Sequence, residues 1–414
     1  DRLGDEAEVQ LVGDLRVVAQ VLGRLGRDPA QYSGVINTPV FRASTIVFPD
    51  IETYGTRPAD DYKTPRYGIH GTPTTWALEE AVAKMEGGHN AVAVCSGLAA
   101  IVAAVCAFVK AGDHLLVTDS AYGPTRTFCD KQLKGFGVDV EYYDPLIGAS
   151  IRKLIRTNTR AIFCEAPGSL SFEMQDIPTI AREAHARDIP VLADTTWGTP
   201  YFFRSFEHGV DVSIHAGTKY IAGHSDVMLG MIVTNEKCWL PVRRTVADYG
   251  YCSSADDCYL ALRGFRTIGV RMKQQMASAI KVAQWLQTRA EVSRVLFPAL
   301  ESDPGHAIWK RDFEGAASLF SLVLKPVSRK QVAAFVDALK LFGIGSSWGG
   351  YESLVTAPNI APLRTATRWN ADEGPVIRLH IGLEDADDLI DDLKRALKAA
   401  EKAGASKAPQ GGKA

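Results

Sequence analysis

The sequence predicts an α/β protein, a mostly parallel sheet domain followed by an α+β C-terminal domain. Three observations carry that expectation. From Ala91 to His215, short apolar runs alternate with helical stretches, the rhythm of a parallel sheet covered on both faces. After about Leu262 the rhythm changes to a long helical stretch, an alternating strand, a capped helix and another strand. A chain of 414 residues also exceeds what a single small core needs.

Taken in order, residues 1 to about 30 carry helical spacing through Leu11, Leu15, Val18, Leu22 and Leu25. From Tyr32 to Tyr67 the composition shifts to Pro, Thr, Tyr and Gly, an extended arm that packs on its own domain or reaches a neighbouring subunit. Thr74 to Met85 reads as a helix stopped by Gly87-Gly88. Strands follow at Ala91–Cys95, His114–Thr118, Asp139–Tyr143, Arg160–Glu165, Ile189–Asp194 and Val212–His215, with helices at Leu98–Phe108 and Pro178–Ala186. One long helix is expected over Gly264–Glu291, then a strand at Ser318–Leu324. Ser328-Arg329-Lys330-Gln331 is a capping box, Val376–Ile381 a strand, and Leu389, Leu393 and Leu397 stripe a last helix. The expected division is an N-terminal helix and arm (1–70), a large domain (71–263), a small domain (264–402) and a mobile tail (403–414).

Composition narrows the function. With 46 basic and 48 acidic residues and no cationic block, neither nucleic acid nor an anionic membrane is an expected partner. The seven cysteines form no C-x-x-C pair and read as reduced core residues, so neither a disulfide framework nor a metal site is expected. The longest apolar stretch, Ala91 to Val109, is broken by Ser96-Gly97, and the first residues do not read as a signal peptide. The expected compartment is the cytoplasm, and the expected partners are small molecules and further subunits.

The chemistry centres on His215-Ala216-Gly217-Thr218-Lys219-Tyr220, where Lys219 follows a buried strand at a place where the sheet opens into a cleft. The strand 25 residues upstream ends in Asp194. A desolvated amine can lose its proton and condense with an aldehyde, and a carboxylate ending an apolar strand needs a buried cation. A protonated pyridine nitrogen is such a cation, and together the two residues suggest pyridoxal phosphate (PLP). Most lysines are solvated surface charges, so agreement with other stretches matters. Ser96-Gly97-Leu98 is a glycine turn between strand and helix, suited to a phosphate or simply a βα connection. Thr218 can add a hydroxyl. Tyr122 can cover a planar ring or be an ordinary loop tyrosine, and Arg378 interrupts an apolar strand, so it needs a substrate carboxylate or an internal aspartate.

From about Tyr32 to Ala400 the chain resembles the cysteine and methionine metabolism family of PLP-dependent enzymes. The resemblance rests on Ser347-Trp348-Gly349-Gly350-Tyr351-Glu352-Ser353-Leu354, Ile377-Arg378-Leu379-His380-Ile381-Gly382-Leu383-Glu384, Asp144-Pro145-Leu146-Ile147-Gly148, and Thr218-Lys219-Tyr220 with Gly223-His224-Ser225-Asp226. It implies an aspartate-aminotransferase-like (fold type I) architecture and a homotetramer of dimers that share active sites. It also implies Lys219 as the Schiff-base lysine, Asp194 on the pyridine nitrogen and Tyr122 stacked on the ring. Gly97, Leu98 and Thr218 would hold the phosphate, reached also by Tyr67 of a neighbouring subunit. Arg378, with Ser347 and Trp348, would hold the substrate carboxylate. The tryptophan before Gly349-Gly350 resembles the β-lyase branch rather than the γ-lyase or γ-synthase branches. The implied reaction is β-elimination from an amino-acid thioether, cystathionine foremost, by Lys219 with Tyr122 as the other proton donor. A less selective cysteine-S-conjugate lyase is the alternative, and a zinc hydrolase on Asp194, His215 and His224 is the reading from another class.

Three positions depart from the family pattern. Ile69 stands where relatives place a phosphate-binding arginine, a role open to Arg66 or Lys63; Ala216 replaces a serine; and Glu165-Ala166-Pro167-Gly168-Ser169 lacks an asparagine.

Overall fold

A computed structural model describes residues 22–56 and 62–405. Most of the helix expected over residues 1–30, and the tail from residue 406 on, lie outside these; Leu22 and Leu25 are buried in the core.

The larger sheet has seven strands: β1 (Asn90–Val94), β2 (His114–Thr118), β3 (Asp139–Tyr143), β4 (Thr159–Glu165), β5 (Val191–Asp194), β6 (Val212–His215) and β7 (Gly230–Thr234). Their spatial order is β1-β7-β6-β5-β4-β2-β3. Only β7 runs antiparallel to its neighbours β1 and β6. The remaining pairs are parallel. The alternation is visible in the packing: Ala91, Ala93, Ile162, Cys164, Val191 and Ala193 enter one apolar layer, while Val92, Val94, Ala161, Phe163 and Leu192 enter the other. Both faces are therefore dry, which explains near-continuous apolar strands.

β7 was not foreseen from the sequence. It lies so close to the turn after β1 that a side-chain carbon at Gly230 would collide with the Ser96 carbonyl, a constraint set by a segment well over a hundred residues away. The helix Gly97–Cys106 forms where expected, with Ser96 as its N-cap: its Oγ accepts from Ala99 N at 3.1 Å.

The helix expected over 264–291 is two helices, Ala255–Phe265 and Ile268–Gln287. The break has a tertiary cause. The Gly264 carbonyl accepts from Thr267 Oγ1 (3.0 Å) and from Arg271 Nη2 (2.8 Å), which also donates to the Tyr220 carbonyl (2.8 Å). A side chain at Gly264 would also strike the Ala222 backbone, so this helix end is docked on the segment following Lys219.

The second sheet comprises β8 (Val292–Leu296), β9 (Leu319–Leu324), β10 (Gly343–Ile344), β11 (Leu354–Thr356) and β12 (Val376–His380), in the order β10-β11-β12-β9-β8. The Ser328 and Gln331 capping box opens the helix Arg329–Asp337, and the last helix is Ala386–Ala405.

All seven cysteines are free, but Cys95 and Cys252 are exposed and Cys106 half-buried, so the expectation of seven core cysteines holds only for Cys129, Cys164, Cys238 and Cys258. Cys95 closes an apolar run in the sequence but lies just beyond the end of β1, in the turn before the helix Gly97–Cys106, outside the sheet that buries its neighbours. Among the described residues, no helix is long and apolar enough to cross a membrane.

Candidate active site

The C-terminal ends of the parallel strands converge on a cavity of about 450 Å³. This is where a doubly wound sheet gathers ligands, because each strand ends there in a loop free to carry polar groups. Ser96-Gly97-Leu98 follow β1, Tyr122 follows β2, Glu165 ends β4, Asp194 ends β5, and Ala216, Thr218 and Lys219 follow β6; the second sheet closes the cavity with Ser346, Ser347, Trp348 and Arg378.

Lys219 Nζ donates to Ser347 Oγ at 2.7 Å and lies 5.4 Å from the centre of the Trp348 ring. Burial, helped by the nearby Arg378 and opposed by Asp194, pulls its amine down to about 8. Asp194 Oδ1 accepts from Thr196 N (3.0 Å) and Thr196 Oγ1 (2.6 Å), and Thr196 Oγ1 accepts from Ala216 N at 2.9 Å. Burial nonetheless raises the Asp194 carboxyl, against these bonds and against Lys219. Arg378 donates only weakly, to the carbonyls of Ser346 and Ser347 at 3.4 Å each; among the described residues it has no carboxylate partner, and burial lowers its guanidinium. Amine, carboxyl and guanidinium are thus all displaced toward neutrality. That is the signature of charged groups arranged for counter-charges carried by a ligand.

The turn after β1 is shaped for backbone contact. A side-chain carbon at Gly97 would stand 2.6 Å from Ala216 Cβ, so only glycine allows this helix start to lie against the Lys219 loop. As first residues of the helix, Gly97 and Leu98 have no intrahelical acceptor for their N–H groups, which suits an anion. Thr218 is more committed than expected: its Oγ1 donates to the Leu229 carbonyl (3.1 Å) and accepts from Leu229 N (2.8 Å).

Tyr122 is 45% exposed, with its phenol raised by burial and by Asp194 and Glu165. Its backbone N–H donates to Glu165 Oε2 at 2.7 Å. Glu165 and Thr196 escaped the sequence reading. Glu165 pairs in register with Asp194 on the adjacent strand, so the same strand-end reasoning finds it once the strands are aligned; burial, then Asp194, push its carboxyl well above the usual range. Tyr67 does not line this cavity; it is half exposed and forms an isolated bridge with Thr45. Among the described residues there is no group of three or more His, Cys, Asp or Glu side chains that could hold a metal. His215 instead pairs with buried Glu86 (2.8 Å), and His224 Nδ1 with the Ala222 carbonyl (2.7 Å).

The residues present fit PLP: an amine of lowered basicity, a buried carboxyl awaiting a cation, a bare helix start and a flat ring on one cavity. Fold and site together define a fold type I PLP-dependent enzyme. The model of the Cys/Met metabolism PLP-dependent enzyme family matches residues 21–398, and the chain belongs to that family, with PLP as cofactor and an amino acid as substrate. A cystathionine beta-lyase of Bordetella avium is 43% identical over 91% of this chain and 96% of that protein. The cystathionine beta-lyase MetC of Escherichia coli K12 is 42% identical over 89% of this chain and 95% of its own length. The crystal structure of metB from Corynebacterium glutamicum superposes with a TM-score of 0.83 at 30% identity, covering 93% of this chain and 99% of that one.

Proposed function

We propose that this chain is a carbon-sulfur β-lyase that cleaves L-cystathionine, with one water, to homocysteine, pyruvate and ammonia. The observation that carries the reading is the Lys219 amine, lowered to about 8 and set between Asp194, Arg378 and Ser347. When bound, PLP supplies an aldehyde for the amino group and a ring that takes up electron density from the α-carbon. In this reading Lys219 holds the cofactor, then takes the α-proton once freed. Asp194, oriented by Thr196, keeps the ring nitrogen protonated. Arg378 forks onto the substrate carboxylate, with Ser347 and Trp348 beside it. Gly97 and Leu98 bind the phosphate through backbone N–H groups, assisted by Thr218, whose hydroxyl must leave the Leu229 carbonyl to donate. Tyr122 covers the ring, and it or Lys219 delivers a proton to the departing sulfur.

Trp348, against the Tyr220 ring at 5.5 Å and near Lys219 Nζ, narrows the pocket, which supports β- over γ-chemistry. The relatives' names support the same substrate. A homotetramer with shared sites belongs to this proposal and is supported by Tyr67, which stands outside its own chain's cavity where a partner's site can meet it. The domain division near residues 71 and 264 and a cytoplasmic location, consistent with the free cysteines, complete it.

The test is the absorbance of PLP-loaded protein before and after cystathionine, with pyruvate assayed in the same tube. A changed spectrum with pyruvate release is expected; no pyruvate sinks the lyase reading. Comparable rates on cystine and S-alkyl cysteines would move the assignment to a broad cysteine-S-conjugate lyase.

A further inference from the structure

Behind the cavity lies a buried polar chain that the reaction does not use directly. His380, Ser318 and Tyr220 are each 1% exposed or less. His380 Nε2 lies 3.0 Å from Gly349 N and 3.3 Å from the Gly350 carbonyl. These two contacts demand opposite roles. A backbone N–H can only donate, and the Gly350 carbonyl already accepts from buried Gln275 Nε2 at 2.7 Å, so Nε2 is the acceptor. The proton then sits on Nδ1, which donates to Ser318 Oγ at 3.1 Å. Ser318 is joined to the Tyr220 hydroxyl twice, through its N–H (3.1 Å) and through Oγ (3.2 Å). Burial outweighs the upward pull of the Gly350 contact and, with the charges of Arg378 and Lys219, lowers His380 to about 3, so the ring is neutral and has one nitrogen free to accept.

The chain's ends are what matter. Tyr220 follows Lys219 in sequence, and its ring packs on Trp348 at 5.5 Å and on His380 at 6.0 Å. Gly349, at φ +85°, presses on the lysine turn so tightly that a side-chain carbon would meet Lys219 Cβ at 2.9 Å. Arg378 stands two residues before His380 on β12, on the same face of the strand. A single imidazole therefore ties together the strand bearing Arg378, the turn bearing Ser347 and Trp348, and the backbone bearing Lys219.

We infer that His380, relayed through Ser318 to Tyr220, is a positioning residue that sets the seat of the Ser347-Trp348-Gly349 turn, and so the carboxylate grip of Arg378, against Lys219. The inference rests on the proposed reading of the site. Because the grip is a binding contact, its loss falls mainly on KM rather than kcat.

The test compares His380→Asn, which can reach Ser318 but leaves the Gly349 N–H without an acceptor, with His380→Gln, whose longer amide places an oxygen near the Nε2 position. In PLP-loaded His380→Asn enzyme, KM for cystathionine rises roughly tenfold or more. The midpoint of the pH titration of the bound cofactor's absorbance moves upward as the Arg378 charge retreats from Lys219. His380→Gln recovers most of both effects. Ser318→Ala, a smaller perturbation, shifts the midpoint in the same direction and decides the matter if His380→Asn does not fold. Equal behaviour of Asn and Gln at position 380 would show packing alone and overturn the inference, as would an unshifted midpoint in Ser318→Ala. Absence of cofactor absorbance in the unaltered enzyme would instead overturn the site reading itself.

Discussion

Lys219 Nζ and Ser347 Oγ are 2.7 Å apart, and this one hydrogen bond joins the end of the parallel sheet to the turn of the C-terminal sheet that carries Trp348. Neither sheet alone makes a site. The amine follows a strand of one and is held by a serine of the other, and burial is the largest contribution to its lowered basicity.

In the proposed mechanism Lys219 bonds the cofactor and moves the α-proton, and replacing it by alanine removes both functions. Pyruvate release from cystathionine falls by at least about a thousandfold. The absorbance of PLP bound through the lysine disappears, while the folded far-ultraviolet circular dichroism is retained.

In the same proposal Arg378 is the two-pronged partner of the substrate carboxylate, which Arg378→Ala removes. KM rises on the order of a hundredfold with a smaller change in kcat, and Arg378→Lys recovers only part because an ammonium cannot reproduce the planar fork. Steady-state kinetics on cystathionine give both values.

If Lys219 is the cofactor lysine, as proposed, the pH dependence of cofactor capture follows from its amine. Only the unprotonated amine attacks the aldehyde, and burial favours that form, bringing the group from 10.5 to about 8. The rate of PLP uptake by cofactor-free protein therefore rises with pH and levels off above about 8. A rate still climbing toward 10.5 would show an ordinary solvated lysine.

Asp119 fastens the segment leading into β12 to the end of β2. Its carboxylate accepts from Thr365 N (2.9 Å), Thr367 N (2.8 Å), Thr367 Oγ1 (2.7 Å) and Arg126 Nη1 (3.0 Å). Burial pushes the carboxyl up, but these donors outweigh it and hold it at about 2, below its ordinary 3.8. A depressed carboxyl contributes stability that is complete above its unfolded value and lost as pH falls through its folded one. Asp119→Ala therefore costs about 2 kcal/mol or more near neutrality. In thermal melts, the gap between the two proteins narrows between pH 4 and pH 2.

Legibility of the site tracked how local its cause was. Asp194 and Arg378 stood out because each places a charge at the end of or within an apolar strand, and Lys219 because it follows one within a few residues, conflicts visible in short stretches. Glu165 ends a strand in the same way but is recognised as a partner of Asp194 only when β4 and β5 are in register. The capping box at Ser328 was readable and formed, since both of its partners lie within four residues.

By itself, then, the sequence determined the alternating strands and helices, the family motifs and the three charged groups, because periodicity and buried charge are properties of short stretches. Tertiary structure alone decided the reversal of β7, the interruption of the helix at Arg266 and Thr267, and the commitment of Thr218 to Leu229. Each depends on a backbone approach or an acceptor supplied by a distant segment. The same holds for the electrostatics: a lysine becomes a usable base only when remote chain takes the water away from it.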